Sequence, residues 1–306
     1  MFLVRRMFGL YSTPWILPDD GVSWDQKTYD DMLNVVATTK AEDKVQKLNF
    51  LVLGPQGHGK SSFINSIASL SKGEKTSICN AGGGRSAAGD NITTVYRELN
   101  FPGKFQWFRF CDARGLTKKR TESESLLQDL KKVVRGHVRS GYKFLPEGSI
   151  KEDNESFYIK HPSLAQRMHG VIIVFDVNEA YDIHANHIED LHEITQTLNE
   201  MNVPVSLILT KVDDICPCVK DNMSNIYHSK KVIDAAEKIH AFLGIPKQNI
   251  YPVASFEDRV KFGWKEGLPL LRAIKACLKT AKDHLYNEGE NEKPNAKGTF
   301  ADVSPM

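Results

Sequence analysis

The sequence predicts an α/β protein in which a mainly parallel central sheet lies between two layers of helices. The first observation is that short apolar segments, suited to buried strands, alternate with segments of helical period from residue 47 to about 284. The second is a glycine-rich loop between the first strand and the helix after it. The chain therefore divides into an N-terminal extension (1–46), one domain (47–284) and a polar tail (285–306) that we expect to be disordered.

The individual elements follow from their residue patterns. The first strand is KLNFLVLG, and the next helix, KSSFINSIASL, repeats its apolar residues at helical spacing. Two further strands are TVYRELNF, which alternates, and FQWFRFCD. The later strands are GVIIVFDV, VPVSLILTK and NIYPVAS, and the helices that follow them are HIEDLHEITQTLNEM, SKKVIDAAEKIHAFLG and LPLLRAIKACLKTAKDHL. In the extension, one short helix is predicted for DQKTYDDMLNVVATT.

Composition and charge are those of a soluble globular protein. The 306 residues are 41% hydrophobic and 25% charged, with a formal net charge of +2. This charge gives no electrostatic basis for a nucleic-acid or membrane partner. The N-terminus, MFLVRRMFGL, contains two arginines and precedes no small-residue cleavage site, so we predict no signal peptide. No segment reaches the roughly 18 apolar residues of a membrane span.

The five cysteines are odd in number and irregularly spaced, which argues against a disulfide framework. The CPC sequence at 216–218 has no second Cys/His pair at zinc spacing, so we expect no zinc site there. Together these features predict a reduced, cytoplasmic protein.

A phosphate-binding loop is the strongest motif in the sequence. It fits the pattern G-x-x-x-x-G-K-[ST], in which glycines let the backbone wrap so that successive N–H groups point at the phosphates. The following helix presents its positive N-terminal end. Lys60 reaches the β- and γ-phosphates, and the Ser61 hydroxyl binds Mg²⁺. The residues predicted to contact the nucleotide here are Gly54, Pro55, Gln56, Gly57, His58, Gly59, Lys60, Ser61 and Ser62.

Two side chains inside this loop are unusual. Gln56 lies four residues before Lys60, where small residues are common, and it either reaches the γ-phosphate or faces solvent. We expect the His58 side chain to face outward, so that this residue lines the loop without a chemical role of its own.

A second motif, in RFCDARGL, supplies the pattern D-x-x-G at the end of a strand. In a phosphate-loop protein an aspartate at this place, here Asp112, holds Mg²⁺ through water, and the Gly115 N–H contacts the γ-phosphate. The preceding glycine-rich segment, CNAGGGRSAAGDNITTVY, is either a switch loop ordered by γ-phosphate and Mg²⁺ or a plain flexible loop. Thr93 or Thr94 supplies the second hydroxyl ligand, and we favour Thr94 because it adjoins the strand. The predicted metal ligands are thus Ser61, Thr94 and Asp112.

The base-reading motif is TKVD at 210–213, at the end of an apolar strand and at the sheet edge where open α/β folds bind ligands. It fits [NT]-K-x-D. The Asp213 carboxylate can accept hydrogen bonds from N1 and N2 of guanine, whereas adenine has an acceptor at N1 and no N2 amine. The Lys211 stem can lie along the base, and Thr210 and a backbone N–H near Ser255 complete the predicted contacts. The motif favours guanine and disfavours an ATP-using kinase.

About 50 residues, 117–168, separate D-x-x-G from the next strand, far more than a standard connection. Its first part, TESESLLQDLKKVVRGHV, has one apolar stripe and predicts a helix. The second part, GYKFLPEGSIKEDNESFYIKHPS, predicts a loop. This insert is either a partner or self-association surface that responds to nucleotide, or a packed decoration without a switching role.

These motifs in this order resemble the Ras-type G domain, which is a three-layer P-loop NTPase fold. A closer resemblance, to the interferon-induced protein 44 and 44-like family, covers about 47–284 and is carried by GPQGHGKSSFINS, CDARGL, RGHVRSGYKF, LTKVDDICPCVKDN and NIYPV. It implies a cytoplasmic, interferon-inducible protein linked to antiviral responses, with a domain that binds GTP or GDP with Mg²⁺. Longer members carry a TLDc domain ahead of the G domain. With 46 residues before the G domain, we expect none in this chain.

Hydrolysis is a separate question, because Ras-like proteins orient the attacking water with a glutamine directly after D-x-x-G and this chain has Leu116 there. Dynamin-like GTPases also lack that glutamine, and they recruit groups from the phosphate loop or a dimer partner; Gln56 matches a loop position where dynamins keep a glutamine. We therefore predict slow GTP hydrolysis with Gln56 as the catalytic residue, assisted by a nucleotide-dependent homodimer. Arg85 or Arg114 either stabilises developing charge or is a solvated loop residue. The alternative function is a GTP- or GDP-binding scaffold without turnover.

Overall fold

The computed structural model describes most of the chain as strands and helices in alternation. The described residues are 23–41, 45–79, 95–113, 116, 120–145, 148–181, 186–254 and 263–291. The strands are β1 (Leu48–Leu53), β2 (Arg97–Asn100), β3 (Phe108–Asp112), β4 (Gly170–Asp176), β5 (Val205–Thr210) and β6 (Ile250–Pro252). The α-helices are α1 (Gln26–Thr38), α2 (Lys60–Lys72), α3 (Arg120–Val134), α4 (Asn186–Glu200), α5 (Val212–Ile215), α6 (Pro217–Asp221), α7 (Lys230–Leu243) and α8 (Trp264–Asn291).

Within the described residues, the strands form one sheet in the order β2–β3–β1–β4–β5–β6. The pairs β3–β1, β1–β4, β4–β5 and β5–β6 are parallel, whereas β2 pairs with β3 in the antiparallel sense. Parallel neighbours need long crossovers, and helices such as α2, α4 and α7 provide them. This strand order, with a glycine-rich loop after β1, is that of the three-layer P-loop NTPase fold with a Ras-like G domain. The predicted fold class is therefore confirmed.

Alternation along β1 shows how the three layers are held together. Phe50 and Val52 belong to the apolar core that includes α1, α2 and α8, whereas Leu51 and Leu53 belong to the core that includes α3, α4 and α7. Every residue of β1 is buried, as expected for a strand covered on both faces. Each fully buried leucine or phenylalanine contributes roughly 1.5–3 kcal/mol, so both helical layers stabilise the sheet.

A buried polar network lies at the amino end of β1. The Asn49 N–H donates to Nδ1 of His169, and the His169 N–H donates to the Asn49 carbonyl, both at 2.8 Å. The Asn49 side-chain amide donates to the carbonyls of Ala165 and Arg167. Its oxygen accepts a hydrogen bond from Nε of Arg109 at 2.8 Å. These bonds join the segment before β4 to β1 and β3.

The insert begins with α3, where the sequence predicts a helix, and its later part bonds the residue just before the edge strand β2. After α3 the chain turns at Gly136, whose φ of +83° is in the left-handed region. The Tyr96 N–H donates to the Tyr142 carbonyl, and the Gly141 N–H donates to the Tyr96 carbonyl, both at 2.8 Å. Since Tyr96 directly precedes β2, the insert covers the end of an edge strand that would otherwise expose unpaired backbone groups.

The ends of the domain agree with the sequence except at the last helix. The helix predicted in the extension is α1, and the Asp25 carboxylate caps it by accepting from the Thr28 N–H at 2.7 Å. At the other end, α8 continues to Asn291 because Leu285 is buried and extends its apolar face. The first part of the predicted disordered tail, 285–291, is therefore helical, and 292–306 lies outside the described residues. No helix in the described ranges combines the length and hydropathy of a membrane span.

Candidate functional site

The loop between β1 and α2 has a backbone shape that its glycines permit. Gly54, Gly57 and Gly59 have φ values of +145°, +83° and +89°, which L-residues rarely adopt. A Cβ on Gly54 would lie 2.1 Å from the Val174 carbonyl oxygen, so this position excludes larger residues. Gly59 is the N-cap of α2, and the loop therefore ends at the positive end of a helix. This backbone is suited to an anion such as phosphate.

Lys60 is the first residue of α2 and lies beneath this loop. Its Nζ donates to the carbonyl oxygens of Gly54 (2.7 Å) and Pro55 (2.8 Å). Burial lowers the pKa of this ammonium to about 8, and the nearby Asp112 carboxylate opposes the shift. An anion at the loop would favour the charged form further, so phosphate binding and the protonation of Lys60 are linked.

Two oxygen donors suited to Mg²⁺ lie on the elements beside Lys60. Asp112 ends β3 and is 5% exposed, and Ser61 is the second residue of α2. Because β3 and β1 are neighbours, both donors lie at the carboxyl edge of the sheet. Carboxylate and hydroxyl oxygens are ligands that Mg²⁺ accepts. In the described part of the chain, no three His, Cys, Asp or Glu side chains cluster as metal ligands, so Mg²⁺ here would need oxygens from phosphate or water.

Leu116 belongs to the core and is tied to the phosphate loop through its backbone. The Leu116 N–H donates to the Gly54 carbonyl (3.3 Å), and the Leu116 carbonyl accepts from the Gln56 N–H (3.4 Å). The leucine side chain is 3% exposed and belongs to the same apolar cluster as α3. The Gln56 side chain is exposed, so it is accessible to solvent and to a phosphate at the loop.

The expectation that His58 faces outward is wrong. Its side chain is 4% exposed, and its ring lies edge-on to Phe175 with the ring centres 5.1 Å apart. Nδ1 of His58 accepts a hydrogen bond from the Asp176 N–H at 3.1 Å. A position in a loop does not by itself fix the direction of a side chain, and the apolar end of β4 beside the loop gives this ring a buried place to pack.

The base-reading motif follows β5 and contacts the same loop. Oγ1 of Thr210, the last residue of β5, is within hydrogen-bonding distance of the carbonyl oxygens of His58 (2.9 Å) and Phe175 (3.1 Å). Lys211 has a left-handed φ of +58°, and its Nζ donates to the Gly57 carbonyl at 3.1 Å. The motif and the phosphate loop are therefore in direct contact, although more than 150 residues separate them in sequence.

Asp213 lies in the first turn of α5 and is half-buried. The Val212 N–H beside it donates to the Val253 carbonyl at 3.4 Å, and the Val253 N–H donates to the Leu209 carbonyl at 2.8 Å. These bonds connect the turn that carries Asp213 to the segment after β6, which is where the sequence predicts a further contact to the base.

Asp176 lies in the candidate site, and the sequence analysis does not predict it. It ends β4, is 8% exposed, and its Oδ2 accepts from Nζ of Lys211 at 2.6 Å. Its Oδ1 accepts from the N–H and the side-chain amide of Asn178, at 2.9 and 2.8 Å. Burial raises the pKa of this carboxyl, but the hydrogen bonds from Lys211 and Asn178 outweigh it and hold the pKa below its usual value. The signal was present in GVIIVFDV, where an acid ends an apolar strand as in RFCD.

The remaining predicted residues divide into two groups. Ser62 lies in the first turn of α2, and its carbonyl accepts from the Ser66 hydroxyl at 2.7 Å. Predicted residues outside the described ranges are Arg85, Thr93, Thr94, Arg114, Gly115 and Ser255.

Comparison with characterised sequences identifies the relatives of this chain. The human protein "Interferon-induced protein 44-like" is 28% identical over 251 residues, which cover 79% of this chain and 53% of that protein. Human "Interferon-induced protein 44" is 29% identical over 241 residues, covering 79% of this chain and 54% of the relative. The resemblance to the interferon-induced protein 44 and 44-like family is confirmed. The mouse interferon-induced protein 44 is also 29% identical, over 249 residues, covering 79% of this chain and 57% of the relative.

The chain thus spans about half the length of the interferon-induced protein 44 relatives that it matches. No family model matches the sequence. Among solved structures, a probable GTP-binding protein engB aligns with a TM-score of 0.42 and 14% identity, covering 77% of this chain and 98% of that one. A Sar1 GTPase from Encephalitozoon cuniculi in complex with GDP aligns with a TM-score of 0.42 and 12% identity, covering 86% and 89% of the two chains. The fold assignment follows from the strand order, independently of these alignments.

Proposed function

We propose that this chain binds guanine nucleotide, GTP or GDP with Mg²⁺, and hydrolyses GTP slowly as part of an interferon-induced, antiviral response in the cytoplasm. The observation that supports it best is the hydrogen bond from Nζ of Lys211 to the Gly57 carbonyl. It joins a phosphate-type loop to a guanine-type motif at one edge of the sheet, where open α/β folds bind ligands. The interferon and antiviral parts of the proposal come from the names of the relatives and the family resemblance.

The phosphates are proposed to bind at the loop and the start of α2. Left-handed glycines in this loop would turn backbone N–H groups towards a bound phosphate. The amino end of α2 would add its partial positive charge. Lys60 would exchange its two carbonyl partners for phosphate oxygens. That exchange is favourable because a phosphate oxygen carries negative charge, so Coulomb attraction to the ammonium adds to the hydrogen bond.

The residues proposed to hold Mg²⁺ are Ser61 and Asp112, with Thr94 from the switch segment. The metal would neutralise charge on the β- and γ-phosphate oxygens. On the protein side, Asp112 is placed by the end of β3 and Ser61 by the first turn of α2.

Guanine is proposed to lie against Lys211, with Asp213 accepting from its N1 and N2. Two charge-assisted hydrogen bonds of roughly 1.5–3 kcal/mol each would separate guanine from adenine by orders of magnitude. The half-buried turn that carries Asp213 is held by the bond from Val212 to the segment after β6. This bond supports the proposal because it fixes the backbone that carries the carboxylate.

Slow hydrolysis is proposed because Leu116 cannot orient a water molecule. Its side chain lies in the core, and its backbone is tied to the loop at Gly54 and Gln56. The exposed Gln56 is the proposed catalytic residue, acting in a homodimer that forms with nucleotide. The buried leucine also favours the alternative function, a nucleotide-binding scaffold without turnover.

Competition binding tests the base assignment. We expect fluorescent GDP to be displaced by GTP and not by ATP at the same concentrations. Asp213→Asn should lose most of the preference for guanine, while Asp221→Asn, an acid at the end of α6, should keep it. Displacement by ATP as readily as by GTP would reject the guanine assignment.

Turnover against protein concentration separates the GTPase from the scaffold. We expect phosphate release that is slow at low concentration and faster per molecule at high concentration. Phosphate release at or below the level of Lys60→Ala, with GTP binding intact in the wild type, would favour the scaffold.

A further inference from the structure

Asp176 lies between two parts of the candidate site, the phosphate loop and the base-reading motif. It ends β4, next to β1 and its loop on one side and β5 with the base-reading motif on the other. Its register partner across the sheet is Thr210. Its backbone contacts the phosphate loop through His58, and its carboxylate contacts the base-reading motif through Lys211.

Lys211 depends on this carboxylate for its position. The lysine has a left-handed φ of +58°, which is unfavourable for a residue with a side chain. Its Nζ then reaches the Asp176 carboxylate (2.6 Å) and the Gly57 carbonyl (3.1 Å) together. A flexible lysine has many rotamers, and two partners at these distances restrict it to one. Of the two, the carboxylate provides the charged and therefore the stronger bond.

The carboxylate itself is fixed from its other side. Oδ1 of Asp176 accepts two hydrogen bonds from Asn178, and the side chain is mostly buried. A buried carboxylate is costly unless it is paired, so Asp176 requires the positive charge of Lys211. The pair is therefore suited to hold the lysine in place before a nucleotide arrives, and such pre-organisation raises affinity by reducing the entropy lost on binding.

We propose that Asp176 is a positioning residue of the nucleotide site, which acts through Lys211 to keep the base-reading motif aligned with the phosphate loop. The inference rests on the proposed function, since it concerns the same nucleotide. Asp176 is not itself a predicted nucleotide contact, and it reaches the predicted contacts through the Lys211 ammonium and the His58 ring.

Asp176→Asn isolates the charge of this residue. The substitution keeps the side-chain shape and the backbone N–H that donates to His58, and it removes the negative charge opposite Lys211. The control is Asp214→Asn, because Asp214 is an exposed acid three residues after Lys211 whose N–H donates to the Lys211 carbonyl. Thermal unfolding of both variants monitors the fold.

Two measurements test the proposal. The first, without nucleotide, is the ammonium ¹H–¹⁵N NMR signal of Lys211, assigned with Lys211→Arg; we expect it in the wild type and Asp214→Asn and its loss in Asp176→Asn. The second is the dissociation rate of N-methylanthraniloyl-GDP. We expect about a tenfold increase in Asp176→Asn, the effect of losing one charge-assisted bond, and less than twofold in Asp214→Asn.

The outcomes separate this inference from the proposed function. A wild type that binds no GDP would reject the proposed function, whereas a wild type that binds while Asp176→Asn dissociates within twofold of it would reject the positioning role alone. Retention of the Lys211 signal in Asp176→Asn would also reject it. If Asp176→Asn does not fold, Asn178→Ala tests the proposal in its place. Asn178 is exposed, and the substitution removes one hydrogen bond that orients the Asp176 carboxylate. We then expect about threefold faster dissociation, and an unchanged rate would overturn the proposal.

Discussion

The two ends of the central sheet use polar residues in different ways. At the amino end, Asn49 and His169 bind each other and the surrounding backbone, and both are almost completely buried. At the carboxyl end, Lys60 and Lys211 donate to carbonyl oxygens of the phosphate loop. Carbonyl partners of a lysine can be exchanged for phosphate oxygens, which bind the charge more strongly. We therefore expect the closed network to serve stability at one end, and the exchangeable network to serve the proposed nucleotide binding at the other.

The largest expected effect is that of Lys60→Ala on nucleotide affinity. The lysine is proposed to bind the β- and γ-phosphates, of which GDP carries only the first. Loss of this charge-assisted hydrogen bond should weaken GDP binding by about 3 kcal/mol, or about a hundredfold. The free energy of unfolding should change by less than about 1 kcal/mol, because the substitution also removes a buried charge. Isothermal titration with GDP and denaturant unfolding measure the two quantities.

The control for this substitution is Lys279→Ala, an exposed lysine on α8. It should leave both quantities unchanged. If Lys60→Ala instead lowered stability by several kcal/mol and left GDP affinity intact, the carboxyl end would be a structural network like the amino end, and the contrast between them would disappear.

The second prediction concerns Asn49→Ala at the amino end. Its side chain bonds the carbonyls of Ala165 and Arg167 and Nε of Arg109, so alanine would leave these groups without that partner. We expect the free energy of unfolding to fall by about 3 kcal/mol. GDP affinity should stay within about twofold of the wild type, or about 0.4 kcal/mol, because Asn49 lies at the opposite end of the sheet from the candidate site. It should be measured at a temperature where the variant is folded.

Asn199→Ala is the matched control for this variant, since Asn199 is an exposed asparagine near the end of α4. It should have the stability of the wild type. A loss of GDP affinity in Asn49→Ala as large as its loss of stability would mean that the two ends of the sheet are coupled rather than separate in role.

The third prediction concerns how pH changes the contribution of His169, at the amino end, to the free energy of unfolding. Burial lowers the pKa of His169 from 6.5 to about 4, and the nearby positive charges of Arg109 and Arg167 act in the same direction. Between these two pH values the unfolded chain binds more protons than the folded chain, so folding weakens as the pH falls. The free energy of unfolding should therefore decrease by about 3 kcal/mol from pH 6.5 to pH 4 through this residue.

Denaturant unfolding of wild type and His169→Asn at pH 6.5, 5.5 and 4.5 isolates this contribution, because other groups titrate equally in both. We expect the wild type to be more stable than the variant at pH 6.5 and the difference to narrow as the pH falls. A constant difference would show that His169 does not titrate as its burial implies.

The sequence predicts the carboxyl end better than the amino end, and the reason is local geometry. A glycine-rich loop, a strand and a helix are contiguous, and the positions of Gly54, Lys60 and Asp112 follow from the order of elements alone. Lys211 lies at the predicted edge of the sheet, because the carboxyl ends of parallel strands share one edge. The position of each of these residues follows from the strand or helix that carries it.

The residues that the sequence did not predict depend on partners far along the chain. His58 and Asp176 are 118 residues apart, and Asn49 and His169 are 120 apart. Asn49 lies inside the apolar segment LNFLVL, which gives no sign of a polar partner. The direction of the His58 ring likewise depends on Phe175 beside it. Such pairs become visible only when the strands are in register.

The smallest expected effect concerns Gln56, which belongs to the exchangeable end but contacts solvent. Its side chain is exposed and its N–H is bound to Leu116, so Gln56→Ala should leave the fold and the affinity for GDP unchanged. If the side chain helps to place the attacking water, the substitution should slow GTP turnover about fivefold, or about 1 kcal/mol. Single-turnover phosphate release over a range of protein concentrations measures this.

Gly57→Ala would not serve as a control, because the φ of +83° at that position would strain the loop itself. Lys104→Ala, an exposed residue before β3, is the better comparison. Equal turnover in Gln56→Ala, Lys104→Ala and the wild type at every concentration would remove Gln56 from the mechanism. Since Leu116 is held in the core, any turnover that remains would have to depend on a group from outside the phosphate loop. If no turnover is measured in any of the three proteins, the scaffold function would be the better account of the carboxyl end.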